Sequence, residues 1–198
     1  MVVGNQSDTM KILFFSCLLI ICSSFFIQGN PEPILWRKRG LLWKNFQGRV
    51  DSVGPLAGAL AVTNSRLEQY YYRVGDEIHF VIAAWFYPNR SWVKKIVLNS
   101  RRSDEVLSHE QHHFDLCELY ARKIRKYLGT VVFTDQTYQT EIAELFKKFH
   151  EEYRLEQNKY DAELNNHVYR LDEWTDSIDA EMKQLKNYSD TSLVVKLR

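Results

Sequence analysis

Five consecutive residues, His109-Glu110-Gln111-His112-His113, have the types and the spacing that zinc chemistry requires. A zinc site needs neutral imidazoles converging on one point at about 2.0–2.1 Å from the metal. Residues four apart on a helix project from the same side, one turn above each other, so His109 and His113 converge without help from loops. Glu110 follows the first histidine, where its carboxylate reaches a water held on zinc, takes its proton and later delivers that proton to a leaving amine. Zinc brings the water's pKa down towards neutrality, so no strong base is needed. The competing explanation is a polar helix face carrying three unrelated histidines. His109 and His112 are also neighbours at a three-residue spacing, but the four-residue pair accounts for Glu110 as well. His112 then flanks the site or faces solvent, and Gln111 is a spacer.

Such a site needs a third protein ligand and an open fourth position. A metzincin pattern requires Gly and His where Leu116 and Leu119 stand, and a thermolysin-like spacing requires an acid at Phe133. Both fail. Glu118 lies nine residues beyond His109, roughly 180° around a regular helix, and is better placed to pair with Arg122. The segment Tyr160-Asp161-Ala162-Glu163 through His167 offers more. If it is helical, Tyr160, Glu163 and His167 share one face. His167 is the candidate third ligand, with Glu163 or Asp161 orienting an imidazole; Glu163, Glu141 and Glu144 are the alternatives. Tyr160 is a candidate catalytic donor to an oxyanion, or a core residue at the end of its helix.

These residues need a helix to hold them, and the pattern predicts one. Val106, His109, His113, Leu116, Cys117, Tyr120 and Ile124 recur three and four apart. Ser103 is placed to cap the start, Asp104 and Glu105 fall in the first turn, and Gly129 can close the end. A second helix carries Ile142, Leu145, Phe146, Phe149, Tyr153 and Tyr160, and a third Leu171, Trp174, Ile178, Met182 and Leu185. Before Ser100 the chain reads as strands and turns. Tyr70-Tyr71-Tyr72 and Ile78 to Tyr87 are strand candidates around a Gly75-Asp76 turn, and Pro88-Asn89 ends the second. Leu41-Leu42-Trp43 and Leu56 to Thr63 are shorter candidates. The fold class expected is α+β: a small N-terminal antiparallel sheet, then three helices, the first carrying the His-Glu motif.

The whole chain has 198 residues, 45% hydrophobic and 26% charged, which is globular rather than disordered composition. Its formal net charge of +1 gives no support for a nucleic-acid partner. Lys11 precedes a run from Ile12 to Ile27 that is almost wholly apolar, followed by small and polar residues and then Pro31 and Pro33. That is a signal peptide over residues 1–30, for which Met10 is a more natural start than Met1. The run is shorter than the roughly eighteen residues of a membrane span. Export to the periplasm or beyond is therefore expected, with 31–198 as a single zincin-like metallohydrolase domain and no membrane span once the leader is removed. Cys17 and Cys22 lie in the leader, where Ser16-Cys17 is the better candidate for lipidation and hence a lipid anchor. Cys117 remains alone, which excludes an intramolecular disulfide in the mature chain. Oligomeric state leaves no trace in the sequence.

The stretch from Ser108 to Asp115, continuing through Glu118-Leu119-Tyr120-Ala121-Arg122-Lys123, resembles a bacterial family of predicted secreted zinc-dependent proteases, domain of unknown function 922. Leu42-Trp43 with Phe46 and Gly48, Phe86 with Ser91-Trp92-Val93-Lys94, and Tyr160-Asp161 with Trp174 fit it too. The resemblance implies export, zinc-dependent hydrolysis, ligands at His109 and His113, and Glu110 as base. It departs after Tyr160-Asp161, where Leu164-Asn165-Asn166-His167-Val168 displace the family's histidine. The expected activity is thus zinc-dependent hydrolysis of a peptide or protein substrate. The alternative is a non-catalytic envelope protein that binds a partner through Trp36, Trp43, Tyr70 to Tyr72 and Trp92, with its metal structural or absent.

Overall fold

The computed structural model describes residues 30–37, 40–166 and 170–198. The predicted leader therefore lies outside the described residues, apart from residue 30. Among the described residues, six strands and four α-helices follow in the order β1 (Ile34–Leu35), β2 (Ala61–Val62), β3 (Ser65–Val74), β4 (Glu77–Phe86), β5 (Trp92–Val93), α1 (Lys95–Leu98), α2 (Ser103–Leu128), α3 (Tyr138–Asn166), α4 (Leu171–Gln184) and β6 (Ser192–Lys196). The main sheet is antiparallel, with β4 between β3 on one side and β1 and β6 on the other. β2 and β5 form a separate two-stranded piece. The fold is α+β, with the sheet and three main helices in the expected order. Among the described residues no helix is long and apolar enough to cross a membrane.

β3 and β4 form the hairpin that the sequence predicts, and Gly75 takes φ +62° in its turn, a conformation that favours glycine. β4 reads as an unbroken apolar run, yet it alternates. Ile78, Phe80, Ile82, Ala84 and Phe86 face the helices and are buried. Against them pack Phe114, Cys117, Ala121, Ile124 and Leu128 of α2 and Ile142, Leu145 and Phe149 of α3. The opposite side of α2 makes a second core, with Leu116 and Leu119 against Tyr160 and Leu164 of α3 and Trp174, Ile178 and Met182 of α4. α2 is thus the central element, covered on both sides from Phe114 onwards.

That position forces its polar residues to find partners inside the protein. Glu118 is 2% exposed; its Oε1 accepts from Arg122 Nε at 2.8 Å and from Arg125 Nη2 at 2.7 Å. Arg125 also donates to the carbonyls of Ile82 and Tyr188, both at 2.7 Å, and Arg122 to that of Met182 at 3.1 Å. The Glu118–Arg122 pair is the one expected from four-residue spacing. Arg125, in the last turn of the helix, completes it from within the core. Cys117 is buried and free, and burial pushes its thiol up to about 12, so it stays protonated at neutral pH.

Several boundaries differ from expectation for local reasons. Residues 43–45 form a 3-10 turn rather than a strand, because Asn45 Oδ1 accepts from Leu42 N–H at 2.8 Å. In Leu56 to Thr63 only Ala61–Val62 pairs as strand, since Asp51 Oδ1 accepts the N–H of Gly54 at 2.7 Å and folds the preceding segment into turns. Ser103 is the first residue of α2 rather than its cap, and its hydroxyl accepts from Trp43 Nε1 at 2.8 Å instead. Gly129 closes the helix with a right-handed backbone, φ −69°. Gln111 is more than a spacer: it accepts from Leu41 N–H at 2.6 Å and donates to Asp115 Oδ1 at 2.7 Å, anchoring the N-terminal segment to α2. Of the aromatic residues suggested as an interface, Trp92 is buried and Trp36, Trp43 and Tyr71 pack against the core; Tyr70 and Tyr72 are exposed.

Candidate metal centre

α2 starts at the surface and enters the core, and His109 and His113 stand on the turns where it crosses from one to the other. α3 packs along that stretch and brings Asp161 to both imidazoles. His109 Nε2 and His113 Nε2 are 3.1 Å apart, and Asp161 Oδ1 lies 3.1 Å from the second and 3.4 Å from the first. Four ligands at 2.0–2.1 Å around a tetrahedral zinc stand roughly 3.3–3.4 Å from one another. The three atoms have the spacing of one face of that tetrahedron. Two nitrogens and one carboxylate oxygen are also the donor set zinc accepts in hydrolytic sites.

The electrostatics agree with a site for positive charge. Burial opposes ionisation of Asp161, but the two imidazoles outweigh it and hold the carboxyl well below the usual carboxylate range. Burial likewise works against protonation of His113, yet Asp161, Glu110 and Gln157 together raise its pKa above the ordinary imidazole value. Glu110 follows at 4% exposure, and its Oε2 is buried without a hydrogen-bond partner among the described residues. A buried carboxylate oxygen is costly to leave unsatisfied, and Glu110 lines the same cleft as His109, His113 and Asp161, which fits a site that could take a cation and its water.

Among the described residues, the group that could hold a metal is His109, His113 and Asp161. His167 lies outside the described residues. Asp161, considered only as an orienting group, is the residue that meets both histidines. Glu163 is two positions further on, roughly 200° around the helix, and turns to α4. It accepts from Trp174 Nε1 at 3.1 Å and pairs with Arg170 at 2.9 Å. Glu141 and Glu144 stand in the first turns of α3, some 25–30 Å along the axis from Asp161 at about 1.5 Å per residue.

Tyr160 and His112 are placed beneath the centre rather than in it. Tyr160 is fully buried, its hydroxyl donates to the His109 carbonyl at 3.1 Å, and its ring lies 4.9 Å from the His109 ring and 5.2 Å from Trp174. Its ring packs under the histidines, and its hydroxyl is engaged with α2 backbone. His112 is buried, in contact with the Tyr160 hydroxyl through Nδ1 and with Thr175 Oγ1 through Nε2, both at 3.1 Å. Burial and the two neighbouring imidazoles push its pKa down to about 4, so it is neutral at physiological pH.

A cleft of about 740 Å³ opens over the centre, with His109, Glu110, His113 and Asp161 on one wall and Leu60 to Thr63 on the other. Thr63 Oγ1 donates to the Glu110 carbonyl at 3.0 Å and pins that opposite wall to the helix. Gln157, one turn before Asp161, was not singled out by the sequence; it bonds His113 Nδ1. The stripe Tyr153, Gln157, Tyr160, Asp161, Leu164, all three and four apart, is the signal that places Asp161 and Gln157 on one helical face.

A family model described as bacterial protein of unknown function (DUF922) matches residues 89–168, a span that includes His109, Glu110, His113, Gln157 and Asp161. No curated protein and no solved structure matches the chain.

Proposed function

We propose that this protein is an exported zinc-dependent hydrolase acting on peptides or proteins. The observation that carries the reading is the set of three atoms of His109, His113 and Asp161 3.1–3.4 Å apart, in one cleft with Glu110, whose buried Oε2 has no partner among the described residues. His109, His113 and Asp161 would hold the zinc. Bound there, zinc supplies Lewis acidity, bringing a coordinated water's pKa towards neutrality and polarising a substrate carbonyl. Glu110 accepts the attacking water's proton on Oε2, holds it, and delivers it to the leaving nitrogen. Asp161 keeps its negative charge throughout, and His113 is steadied by its second ring nitrogen. The leader segment supports export.

The opposite wall favours a polypeptide over other amides. Ala61 pairs with Val93 and Val62 with Trp92, and Lys94 N–H donates to the Leu60 carbonyl at 2.9 Å. The main-chain groups of Leu60 and Val62 therefore face β5, while those of Ala61 and Thr63 point away from it, because alternate residues of a strand present their backbone groups to opposite sides. Both residues line the cleft. An extended peptide can add to this free edge as a further strand, its main chain held by Ala61 and Thr63 and a carbonyl carried to the metal centre.

Cleavage of an unfolded protein substrate, with new termini mapped by mass spectrometry, tests the reading. Cleavage stops on chelation and returns on adding zinc. A zinc-loaded, folded protein that produces no chelator-sensitive cleavage of any polypeptide would contradict the peptidase assignment.

A further inference from the structure

We infer that Gln157 is a positioning residue for the metal centre: its amide decides which nitrogen of His113 faces the cation and holds the ring in place. The inference rests on the zinc reading above. The Gln157 Nε2 donates to the His113 carbonyl and contacts the Tyr153 hydroxyl, both at 2.9 Å. A main-chain carbonyl only accepts, so the amide's nitrogen must lie on that side, and its oxygen must be the atom against His113 Nδ1. An amide oxygen also only accepts. His113 Nδ1 therefore carries the hydrogen, and Nε2, the nitrogen that faces His109 and Asp161, carries the lone pair.

The amide is itself fixed. Tyr153 OH accepts from Gln157 Nε2, which leaves its own hydrogen for Ser65 Oγ at 3.3 Å, and Ser65 Oγ donates to the His113 carbonyl at 3.3 Å. The chain of bonds runs from α3 through β3 and back to α2, so it ties the metal helix to two separate elements. Gln157 and Asp161 lie four residues apart on α3. One helical face thus provides both a ligand and the support for another, and a shift of α3 along α2 would disturb the two together. Supports of this kind commonly account for 10–100-fold in metal affinity, and here a neutral amide fills the place, so its effect lies in geometry and tautomer rather than added charge.

The test is zinc affinity of the purified protein by competition with a chromophoric chelator, together with imidazole nitrogen chemical shifts of the zinc-loaded form. Gln157→Leu, similar in size but without an acceptor, is expected to bind zinc about 10–100-fold more weakly. Gln157→Glu, which keeps an acceptor at Nδ1 but gives up the donation to the His113 carbonyl, is expected to recover part of that loss. The shifts should show His113 Nδ1 protonated and Nε2 coordinated. Equal affinity for Gln157→Leu, or an equally large loss in Gln157→Glu, would overturn the inference while leaving the zinc reading intact. If Gln157→Leu does not fold, coordination of His113 through Nδ1 in the unmodified protein would overturn it as well. Failure of the unmodified protein to bind zinc would overturn the zinc reading and this inference with it.

Discussion

Exchanging Glu110 for glutamine is expected to lower kcat/KM by about 10²–10⁴-fold while zinc stays bound, the range that a positioned proton acceptor contributes. Glu110 is not among the three residues whose atoms meet at the centre, so its loss removes no ligand. It is buried in the lining of the same cleft, its Oε2 without a partner among the described residues, and glutamine keeps its size while losing the ability to take a proton at that point. The cleft wall and the Thr63 bond to the residue 110 carbonyl survive, because that bond involves only main chain on the helix side. Turnover of a cleaved peptide and zinc content of the same sample give both halves of the result. An unchanged rate would place the base elsewhere. It is also the outcome for a protein that binds a partner without chemistry, the alternative raised by the exposed Tyr70 and Tyr72.

Removing the Glu118 carboxylate should cost more stability than any surface ion pair. Glu118→Ala leaves Arg122 and Arg125 inside the core, 7% and 2% exposed, with no carboxylate between them. Breaking a buried pair from one side costs about 3–5 kcal/mol, since the uncompensated charge stays behind. The arginines retain carbonyls of Met182, Ile82 and Tyr188, which neutralise no charge. At roughly 2–4 °C per kcal/mol for a domain of this size, Tm falls by on the order of 10 °C. Glu151→Ala, which breaks only the exposed pair with Arg154, is the control and should leave Tm unchanged. A Glu118→Ala protein as stable as that control would show that the network carries no stability.

The features legible in the sequence were those set by near neighbours. His109 and His113 share a helical face by spacing alone, and the helix that carries them announces itself by its apolar period. The β3–β4 hairpin is readable because Gly75 supplies the turn between two branched, aromatic runs. What stayed hidden depends on packing between distant segments. β6 is a five-residue strand whose partner, β4, lies more than a hundred residues earlier, and Leu193-Val194-Val195 is too short a run to reveal that pairing by itself. Asp161 is one acid among several in α3. It meets the two histidines because Tyr160 and Leu164 seat that turn against Leu116 and Leu119. Glu163 was equally eligible by type, but a rotation of about 200° turns it to Trp174 and Arg170. Trp43 and Leu56 misled because Asn45 and Asp51 offer their neighbours' N–H groups a local acceptor that competes with strand pairing.

The metal content of the purified protein tests the central claim most directly, measured by mass spectrometry on the unmodified chain, His113→Ala, Asp161→Ala and Glu163→Ala. The arrangement of His109, His113 and Asp161 predicts about one zinc per chain in the unmodified protein, lost in His113→Ala and Asp161→Ala and retained in Glu163→Ala. A folded, unmodified protein without metal, or an Asp161→Ala protein that keeps its full complement, would contradict it.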